Sequence, residues 1–569
     1  MPDHSSPALP ALLADEWEFR MREDPLFATQ CGDHRYDDRL PTISEADADR
    51  RLAQLRAFRV RAQAIDGAAL SDADRLNQAI FARYLADEIA EIEFRAYRLP
   101  LAKAGGFHST FTELPDFAPF NTPLDYENYI ARLQAFPTYV AGQIEVMRAG
   151  LREGHLPPRA ILSGVDESLR SLSVDDATRS VFFKPFELFP KTIGEADQRR
   201  LAAAGRAAIA NSIVPGYRAL LDFVTGEYLP AARADVAASS LPNGQAFYAH
   251  RVRYFTTLDI TPQRVHEIGL AEVQRIRAEM EAVMHTAGFQ GDFKEFIDFL
   301  RTDPRFYVET PAALMKEVAL VLKKIDGELP RLFQTLPRAP YGIKPVPDHI
   351  APYTTTAYYF PLAGDGSRAG FYYVNTYDLK SRPLYEIEAL SLHEAVPGHH
   401  LQIALQQEIA DLPNFRRFGW VTAFGEGWAL YAERLGLEMG FYQDPYSDFG
   451  RLTYEMWRAC RLVVDTGLHS LGWTRQQAID YMAANTASTL LNLANEVDRY
   501  IAWPGQALAY KLGELKIREL RAQAEQQLGS RFDVREFHDI VLRDGALPLA
   551  VLEAKVKRWL APGEWANHQ

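Results

Sequence analysis

Residues 390–402 read Leu-Ser-Leu-His-Glu-Ala-Val-Pro-Gly-His-His-Leu-Gln, and the interpretation of the whole chain starts from this stretch. It places three imidazoles and a carboxylate close together in a mainly apolar segment, although the 569 residues contain only 14 histidines. Neutral imidazole is a good zinc ligand, and a glutamate beside two such ligands can take a proton from a metal-bound water. The stretch therefore predicts a metal site.

The two histidine ligands depend on how the backbone runs here. The helical zinc motif His-Glu-x-x-His places its histidines one turn apart on one face. Pro397 occupies the position of the second histidine, and a proline followed by Gly398 predicts a bulged or broken helix. A widening by two residues brings His399 to the ligand position beside His393. His400 is the alternative, although in an unbroken helix it lies about two turns, roughly 10 Å, from His393.

A hydrolytic zinc site needs a third protein ligand and one open position. Glu426 lies in an otherwise apolar, glycine-flanked run, and carboxylates are seldom buried without a partner such as a cation. The chain between His399 and Glu426 suits a helix, a turn and a returning helix. We therefore expect one Zn²⁺ held by His393, His399 and Glu426, with Glu433 either supporting the site or solvated.

Two segments carry a family resemblance. His-Glu-Ala-Val-Pro-Gly-His-His at 393–400 and Gly-Glu-Gly-Trp-Ala-Leu-Tyr at 425–431 resemble the signature of the bacterial family DUF885, which is similar to the thermolysin-like (gluzincin) zinc peptidases. Arg461–His469 and Pro504–Lys511 also match, and the resemblance is clearest over residues 240–515. It implies a large helical body with a deep cleft that admits oligopeptides and excludes folded proteins.

Three residues are expected to take part in catalysis. Glu394 would take a proton from the metal-bound water and pass it to the leaving amine. Asp465 and His469 stand at i and i+4, so the carboxylate is expected to orient the imidazole and His469 to donate to the oxyanion. A structural histidine is the alternative for His469. Tyr510 is expected to be a second oxyanion donor, with Tyr500 as the alternative.

Arg458 and Arg461 lie one turn apart on the same predicted helix. The planar fork of a guanidinium suits a carboxylate, so either arginine could bind the carboxylate of a substrate. Surface ion pairs are the alternative, which we favour for Arg458.

A small β structure is predicted before the metal helix. Tyr353–Leu362 and Gly370–Asn375 are rich in Thr, Tyr, Phe and Val with a turn between them, which indicates a β-hairpin. The proline-rich residues 337–352 predict an extended, turn-rich path. In thermolysin-like peptidases a strand beside the zinc helix binds substrate backbone as an added strand. We expect Gly370–Asn375 to be that edge, an ordinary small sheet being the alternative.

Length and composition define the class. A chain of 569 residues that is 47% hydrophobic can bury a large core, and its periodicity predicts a mainly α fold. We expect an N-terminal helical region, residues 1–240, and a catalytic metallohydrolase region with the zinc motif, residues 241–569. The net charge of −13 argues against nucleic-acid partners. Two cysteines exclude a disulfide framework.

The sequence also predicts a location. Met1–Glu16 lacks the basic start and apolar core of a signal peptide, so export would require a leader that precedes it. No apolar run reaches the roughly 18 residues of a transmembrane helix. A cytoplasmic protein without membrane contact is therefore expected.

The leading functional prediction is a zinc-dependent metallopeptidase that cuts short peptides, the peptide substrate being implied by the family resemblance. Two alternatives remain. One is a zinc hydrolase of small esters or non-peptide amides. The other is a non-catalytic metal-binding protein, with a closed site of four ligands that includes both His399 and His400.

Overall fold

The computed structural model describes residues 8–103, 105–348 and 350–561. Helices dominate these residues, and their β structure is one small three-stranded sheet, which confirms the prediction of a mainly α fold. None of the described helices is long and apolar enough to cross a membrane. Residues 1–7, part of the segment assessed for a signal peptide, lie outside the described residues.

The chain forms two compact units. The first comprises Met1–Asp235 and Leu241–Asn243, and the second comprises Val236–Ser240 and Gly244–Gln569. The predicted boundary at residues 240/241 stays a prediction. The helices described in the first unit are α1 (Ala8–Glu23), α2 (Pro25–Gln30), α3 (Glu45–Gln63), α4 (Asp72–Glu93), α5 (Phe107–Thr110), α6 (Leu114–Phe117), α7 (Pro123–Arg152), α8 (Val165–Leu172), α9 (Glu195–Ala208), α10 (Val214–Phe223) and α11 (Leu229–Ala231).

The longest helix of the first unit, α7, shows how local sequence and packing combine there. Thr122 caps its N-terminus by accepting from the backbone N–H of Asp125, whose side chain accepts in return, a reciprocal cap that satisfies otherwise unpaired amides. Phe136 on this helix stacks on Phe111 and lies 4.7 Å, centroid to centroid, from the ring of Tyr217. Aromatic side chains therefore fill much of this core.

The second unit carries the whole of the predicted metal site. Its described helices are α12 (Gly244–Thr256), α13 (Pro262–Thr286), α14 (Phe293–Thr302), α15 (Pro311–Leu332), α16 (Ile387–Glu394), α17 (His399–Glu408), α18 (Asn414–Arg417), α19 (Thr422–Met439), α20 (Pro445–Ser470), α21 (Arg475–Asn485), α22 (Leu490–Ala502), α23 (Ala509–Leu528), α24 (Val534–Leu542) and α25 (Leu549–Leu560). Helix α13 begins as predicted, with Thr261 as its N-cap and Pro262 in its first turn.

Two glycines let the helix that carries Glu426 approach its neighbour closely. A Cβ atom on Gly427 of α19 would lie 2.5 Å from the Cα of Gly513 on α23, and one on Gly513 would lie 2.0 Å from the carbonyl oxygen of Ala423. No side chain fits at this crossing. The glycine after Glu426 therefore serves helix packing, and it fixes α19 firmly in the core.

The sheet has the strand order β1 (Tyr341–Pro345), β3 (Gly370–Val374), β2 (Ala357–Phe360). β2 and β3 are antiparallel, which confirms the predicted hairpin, whereas β1 pairs with β3 in parallel. The prediction that Gly370–Asn375 forms a free edge is wrong, because β3 has a partner on each side. β2 is the outer strand of the hairpin.

His538 connects three helices of the second unit. Its Nδ1 donates to the carbonyl of Leu332 at 2.8 Å, and its Nε2 accepts from the hydroxyl of Tyr431 on α19 at 2.9 Å. The side chain is fully buried, and burial lowers the pKa of His538 to about 3. The imidazole is thus held neutral in the folded protein.

This burial predicts a specific acid sensitivity. Below an unfolded pKa of about 6.5 only the unfolded chain protonates His538, so its contribution to stability is lost as the pH falls towards 4. We expect His538→Gln to be less stable than wild type at neutral pH. The difference should shrink by about 1.4 kcal/mol per pH unit over this range. Urea unfolding at several pH values measures it, with His285→Gln, at an exposed position, as control. A pH-independent difference would contradict the assignment.

Candidate metal centre

The backbone breaks between α16 and α17, as the proline and glycine predict. Helix α16 ends at Glu394 and α17 begins at His399. At Gly398 a Cβ atom would lie 1.9 Å from the carbonyl oxygen of His393, so only glycine permits this close approach. The N–H of His400 donates to the carbonyl of Ala395 at 2.9 Å and so closes the turn.

The break brings the two predicted histidines to one carboxylate. His393 Nε2 lies 3.5 Å, and His399 Nε2 3.3 Å, from Glu426 Oε2 on α19. One ligand atom from each residue lies within 4.8 Å of the others, an arrangement that could hold one metal ion. The structure therefore gathers the three predicted ligands at a single position.

His400 is directed elsewhere. Its Nδ1 accepts from the hydroxyl of Tyr359 at 2.8 Å, and its Nε2 donates to the carbonyl of Ala339 at 3.0 Å. Both ring nitrogens are thereby used. The structure thus favours His399 over His400 as the second histidine of the cluster.

Glu433 fixes the orientation of His393. Its Oε1 lies 2.7 Å from His393 Nδ1 and 3.4 Å from Arg458 Nη2. An ionised carboxylate can only accept, so Nδ1 carries a hydrogen and Nε2 is the ring nitrogen that faces Glu426 and could bind a metal. Carboxylates in this position set the tautomer of histidine ligands in zinc proteins. Of the two roles considered for Glu433, the supporting one fits this buried geometry.

The electrostatics of the cluster favour an added positive charge. Burial alone would lower the pKa of His393, but the neighbouring carboxylates of Glu426 and Glu433 raise it to about 9. Burial alone would raise the pKa of Glu426, yet His399 and His393 hold it well below its usual value. Glu426 Oε2 is buried and makes no hydrogen bond. Two imidazole nitrogens and this unpartnered carboxylate oxygen form a donor set that fits a divalent cation.

The cluster opens onto a cleft of about 500 Å³. Glu394 and Tyr510, both predicted catalytic residues, line it. Burial raises the pKa of Glu394, although His393 and His399 act in the opposite direction. The Tyr510 ring stacks on His393 with centroids 6.2 Å apart, and its hydroxyl accepts weakly from Gln506 Nε2 at 3.4 Å. These two predicted residues therefore lie at the cluster.

His469 is placed differently from the prediction. Its Nδ1 accepts from the N–H of Ala238 and its Nε2 donates to the carbonyl of Tyr500, both at 3.0 Å. The ring is fully buried and does not line the cleft. Asp465 instead accepts from the Tyr248 hydroxyl and the N–H of Gly505. The expected oxyanion role of His469 is corrected to a structural one, because backbone groups use both of its nitrogens.

Tyr500, the alternative to Tyr510, is also structural. Its hydroxyl accepts from Trp457 Nε1 and from Arg461 Nε, each at 2.8 Å, and its side chain is buried away from the cleft lining. Tyr510 is the tyrosine of this pair that faces the cluster.

Several cleft residues were missed by sequence reasoning. They are the β2 residues Ala357, Tyr358 and Tyr359 on one wall, with Trp420, Arg499, Trp503 and Gln506 elsewhere in the lining. Arg499 is adjacent to Tyr500, and Gln506 lies in the family-like segment Pro504–Lys511. Their positions in the sequence could therefore have indicated both residues. Nothing local distinguishes the two tryptophans from core residues.

The fold and the cluster define a mainly helical protein with a two-histidine, one-glutamate site in a cleft. Residues 25–556 match the family model described as "Bacterial protein of unknown function (DUF885)". The chain belongs to the DUF885 family, as the motifs predicted. The predicted similarity to thermolysin-like peptidases stays a prediction. The search of curated proteins gave no match.

Two solved structures resemble the chain over nearly its whole length. The first is described as "the putative lipoprotein from Colwellia psychrerythraea", with a TM-score of 0.91, 30% identity and coverage of 97% of this chain and 98% of the other. The second is described as "a putative lipoprotein of unknown function from Shewanella oneidensis", with a TM-score of 0.69, 18% identity and coverage of 96% and 98%. The second shows the fold alone.

These descriptions correct the predicted location. Lipoproteins are attached to membranes through covalently bound lipid. Because the Colwellia chain, which matches nearly the whole of this chain at 30% identity, is described as a putative lipoprotein, the expectation of a cytoplasmic protein is wrong. That expectation rested on the N-terminal composition of this sequence, which is a weaker basis than a match across the whole fold.

The close approach at residue 398 gives the first prediction for the site. We expect Gly398→Ala to displace His399 from His393, because the new methyl group meets a backbone carbonyl that cannot move independently. Overpacking of this kind costs about 1–3 kcal/mol. Bound zinc, measured by elemental analysis after dialysis, should fall at least about tenfold. Gly327→Ala, where a Cβ meets nothing within 4 Å, is the control and should retain wild-type zinc binding. Unchanged zinc content in Gly398→Ala would contradict the proposed geometry.

The contact between His393 and Glu433 predicts that Glu433 affects zinc binding. Supporting carboxylates typically change metal affinity by about 10- to 100-fold when mutated. We expect Glu433→Gln to weaken zinc binding by that factor in a competition titration with a chromophoric chelator. Glu438→Gln changes the same residue type on α19, where the side chain is 37% exposed and pairs with Arg521, and should leave the affinity unchanged. Equal affinities for the two variants would exclude the supporting role.

Proposed function

We propose that the protein is a zinc-dependent hydrolase of short peptides. One observation carries the proposal: His393, His399 and Glu426 converge on one point, and all three line the same cleft as Glu394. Catalytic zinc sites use three protein ligands, whereas structural sites use four. Since His400 is bonded to Tyr359 and Ala339, a closed four-ligand site including it is disfavoured.

A zinc ion bound by these three residues would supply a Lewis acid that makes water a nucleophile at neutral pH. Glu394 follows the ligand His393 directly in sequence and lines the cleft, so its carboxylate can take a proton from water and deliver it to the departing amine. Hydrolysis then adds one water across the peptide bond and yields a carboxylate and an amine. The Tyr510 ring stacks on His393, and its hydroxyl can donate to the carbonyl oxygen of the substrate as negative charge develops there.

The outer strand of the sheet supports a peptide substrate. The N–H of Asn375 donates to the carbonyl of Thr356 at 3.0 Å, so these residues form a hydrogen-bonded pair. By the alternation of an antiparallel ladder, the peptide groups of Ala357 and Tyr359 point away from β3. Both residues line the cleft. An extended peptide can pair with this edge as an added strand, the recognition mode that had been predicted for β3.

The general-base role of Glu394 is directly testable. We expect Glu394→Gln to keep zinc at the wild-type stoichiometry, because this residue is not one of the three ligands. It should lower the turnover of a mixed peptide pool by about 10²- to 10⁴-fold, because the amide cannot accept the proton. Elemental analysis and mass spectrometry of the digested pool measure the two quantities.

Glu438→Gln is again the matched control and should match wild type in both measurements. A zinc-loaded wild type that cuts no peptide would overturn the proposed function. Full activity in Glu394→Gln would overturn the assigned base and leave the peptidase proposal standing.

A further inference from the structure

We infer that the cleft recognises the C-terminal carboxylate of its peptide through Arg461 and Arg499, so that the enzyme removes residues from the C-terminal end. This inference rests on the proposed peptide hydrolysis and names its substrate class and direction. It is carried by the hydrogen bonding, charge and position of the two arginines.

Arg461 is buried but incompletely bonded. Its side chain is 3% exposed, its Nε donates to the Tyr500 hydroxyl at 2.8 Å and its Nη2 lies 3.1 Å from Glu496 Oε2. Its Nη1 is buried and has no hydrogen-bond partner. Leaving a charged donor unsatisfied in the interior is costly. Since Arg461 lines the cleft, a ligand that enters the cleft can satisfy this atom.

The charges near Arg461 do not balance. Arg499 also lines the cleft, and its Nη2 lies 2.9 Å from the same Glu496 Oε2. Two guanidinium groups therefore share one carboxylate, which leaves one positive charge in excess. Arg458, the third arginine of the cleft, pairs with Glu433 and so contributes no such excess. A ligand with a single carboxylate would balance the pair, and the fork of a guanidinium suits that group.

The excess charge lies close to the reacting end of the cleft. The guanidinium carbon of Arg461 is 4.3 Å from the centroid of the Tyr510 ring, and the same ring stacks on His393. The Tyr510 ring thus contacts both Arg461 and His393, so a carboxylate held by Arg461 would lie close to the metal position. An extended residue spans about 3.3–3.6 Å, so only a few residues fit between the cut bond and the chain end.

The sign of the charge selects the chain end. A peptide's N-terminal ammonium would be repelled by the arginine pair, whereas its C-terminal carboxylate would be attracted. The backbone of an internal segment carries no charge that could meet this position. The arrangement therefore points to a carboxypeptidase or a peptidase that releases a very short C-terminal fragment.

Binding and turnover test the inference separately. Short N-acetylated peptides are made in two forms, as free acids and as C-terminal amides, and their affinities for zinc-loaded Glu394→Gln protein are measured by calorimetry. We expect the acid to bind at least about tenfold tighter than the amide. Adding Arg461→Gln should weaken binding of the acid by about 10- to 100-fold and leave that of the amide nearly unchanged. Arg461→Lys, which keeps the charge without the fork, should recover part of the loss.

Arg451→Gln is the matched control, since Arg451 lies on the same helix, is also buried at 7% side-chain exposure and does not line the cleft. Equal binding of acid and amide would overturn the inference, and this comparison needs no arginine variant. A loss in Arg461→Gln that is equal for both peptides would also overturn it.

Turnover by the active enzyme separates the two proposals. Cleavage of the acid near its C-terminus, with the amide cut at least about tenfold more slowly, supports both. Equal cleavage of both forms at internal bonds overturns the C-terminal preference and keeps the peptidase. Acid-selective binding without cleavage of either form overturns the peptidase and keeps the carboxylate site.

Discussion

The close approach of Gly398 to the carbonyl of His393 is the constraint on which the site depends. Because a side chain cannot fit there, the chain can end one helix at Glu394 and start another at His399 within a few residues. A regular helix would place these two imidazoles on different faces, whereas the broken helix lets both reach the same carboxylate. The break also lets Glu394 line the cleft beside them.

Rigid packing holds the opposing acid. Glu426 lies on a helix that crosses its neighbour at Gly427 and Gly513, with no side chain between the backbones. Seven residues further along, Glu433 contacts the other nitrogen of the His393 ring, Nδ1. One helix thus supplies both carboxylates that contact this imidazole. Their separation by about two helical turns lets one face Nε2 of the ring and the other Nδ1. Buried carboxylates are costly, and the fixed histidines compensate them in part, as the proposed metal ion would compensate Glu426.

The ligand cluster could be predicted from sequence because its signals are local: a proline where a ligand should stand, a glycine beside it and a lone acid in an apolar run. His469 could not, since an i, i+4 acid gives a plausible partner while its actual partners, Ala238 and the carbonyl of Tyr500, are distant in sequence. The strand β1 was not predicted, because the prolines in and around it indicate an extended, turn-rich path. Without β1 the hairpin gave no indication which strand would be the edge.

Helix α20 shows how charge can be divided between two tasks. Arg458 and Arg461 are one turn apart and both line the cleft, yet their partners differ. Arg458 faces Glu433, which is already bonded to His393, so its charge compensates the supporting acid of the metal cluster. Arg461 shares Glu496 with Arg499, so part of its charge stays uncompensated. Burying that surplus is unfavourable for folding alone. Under the proposed peptidase function it becomes favourable when the carboxylate of a peptide brings the missing negative charge, and the binding energy gained in this way would position the peptide against the cluster.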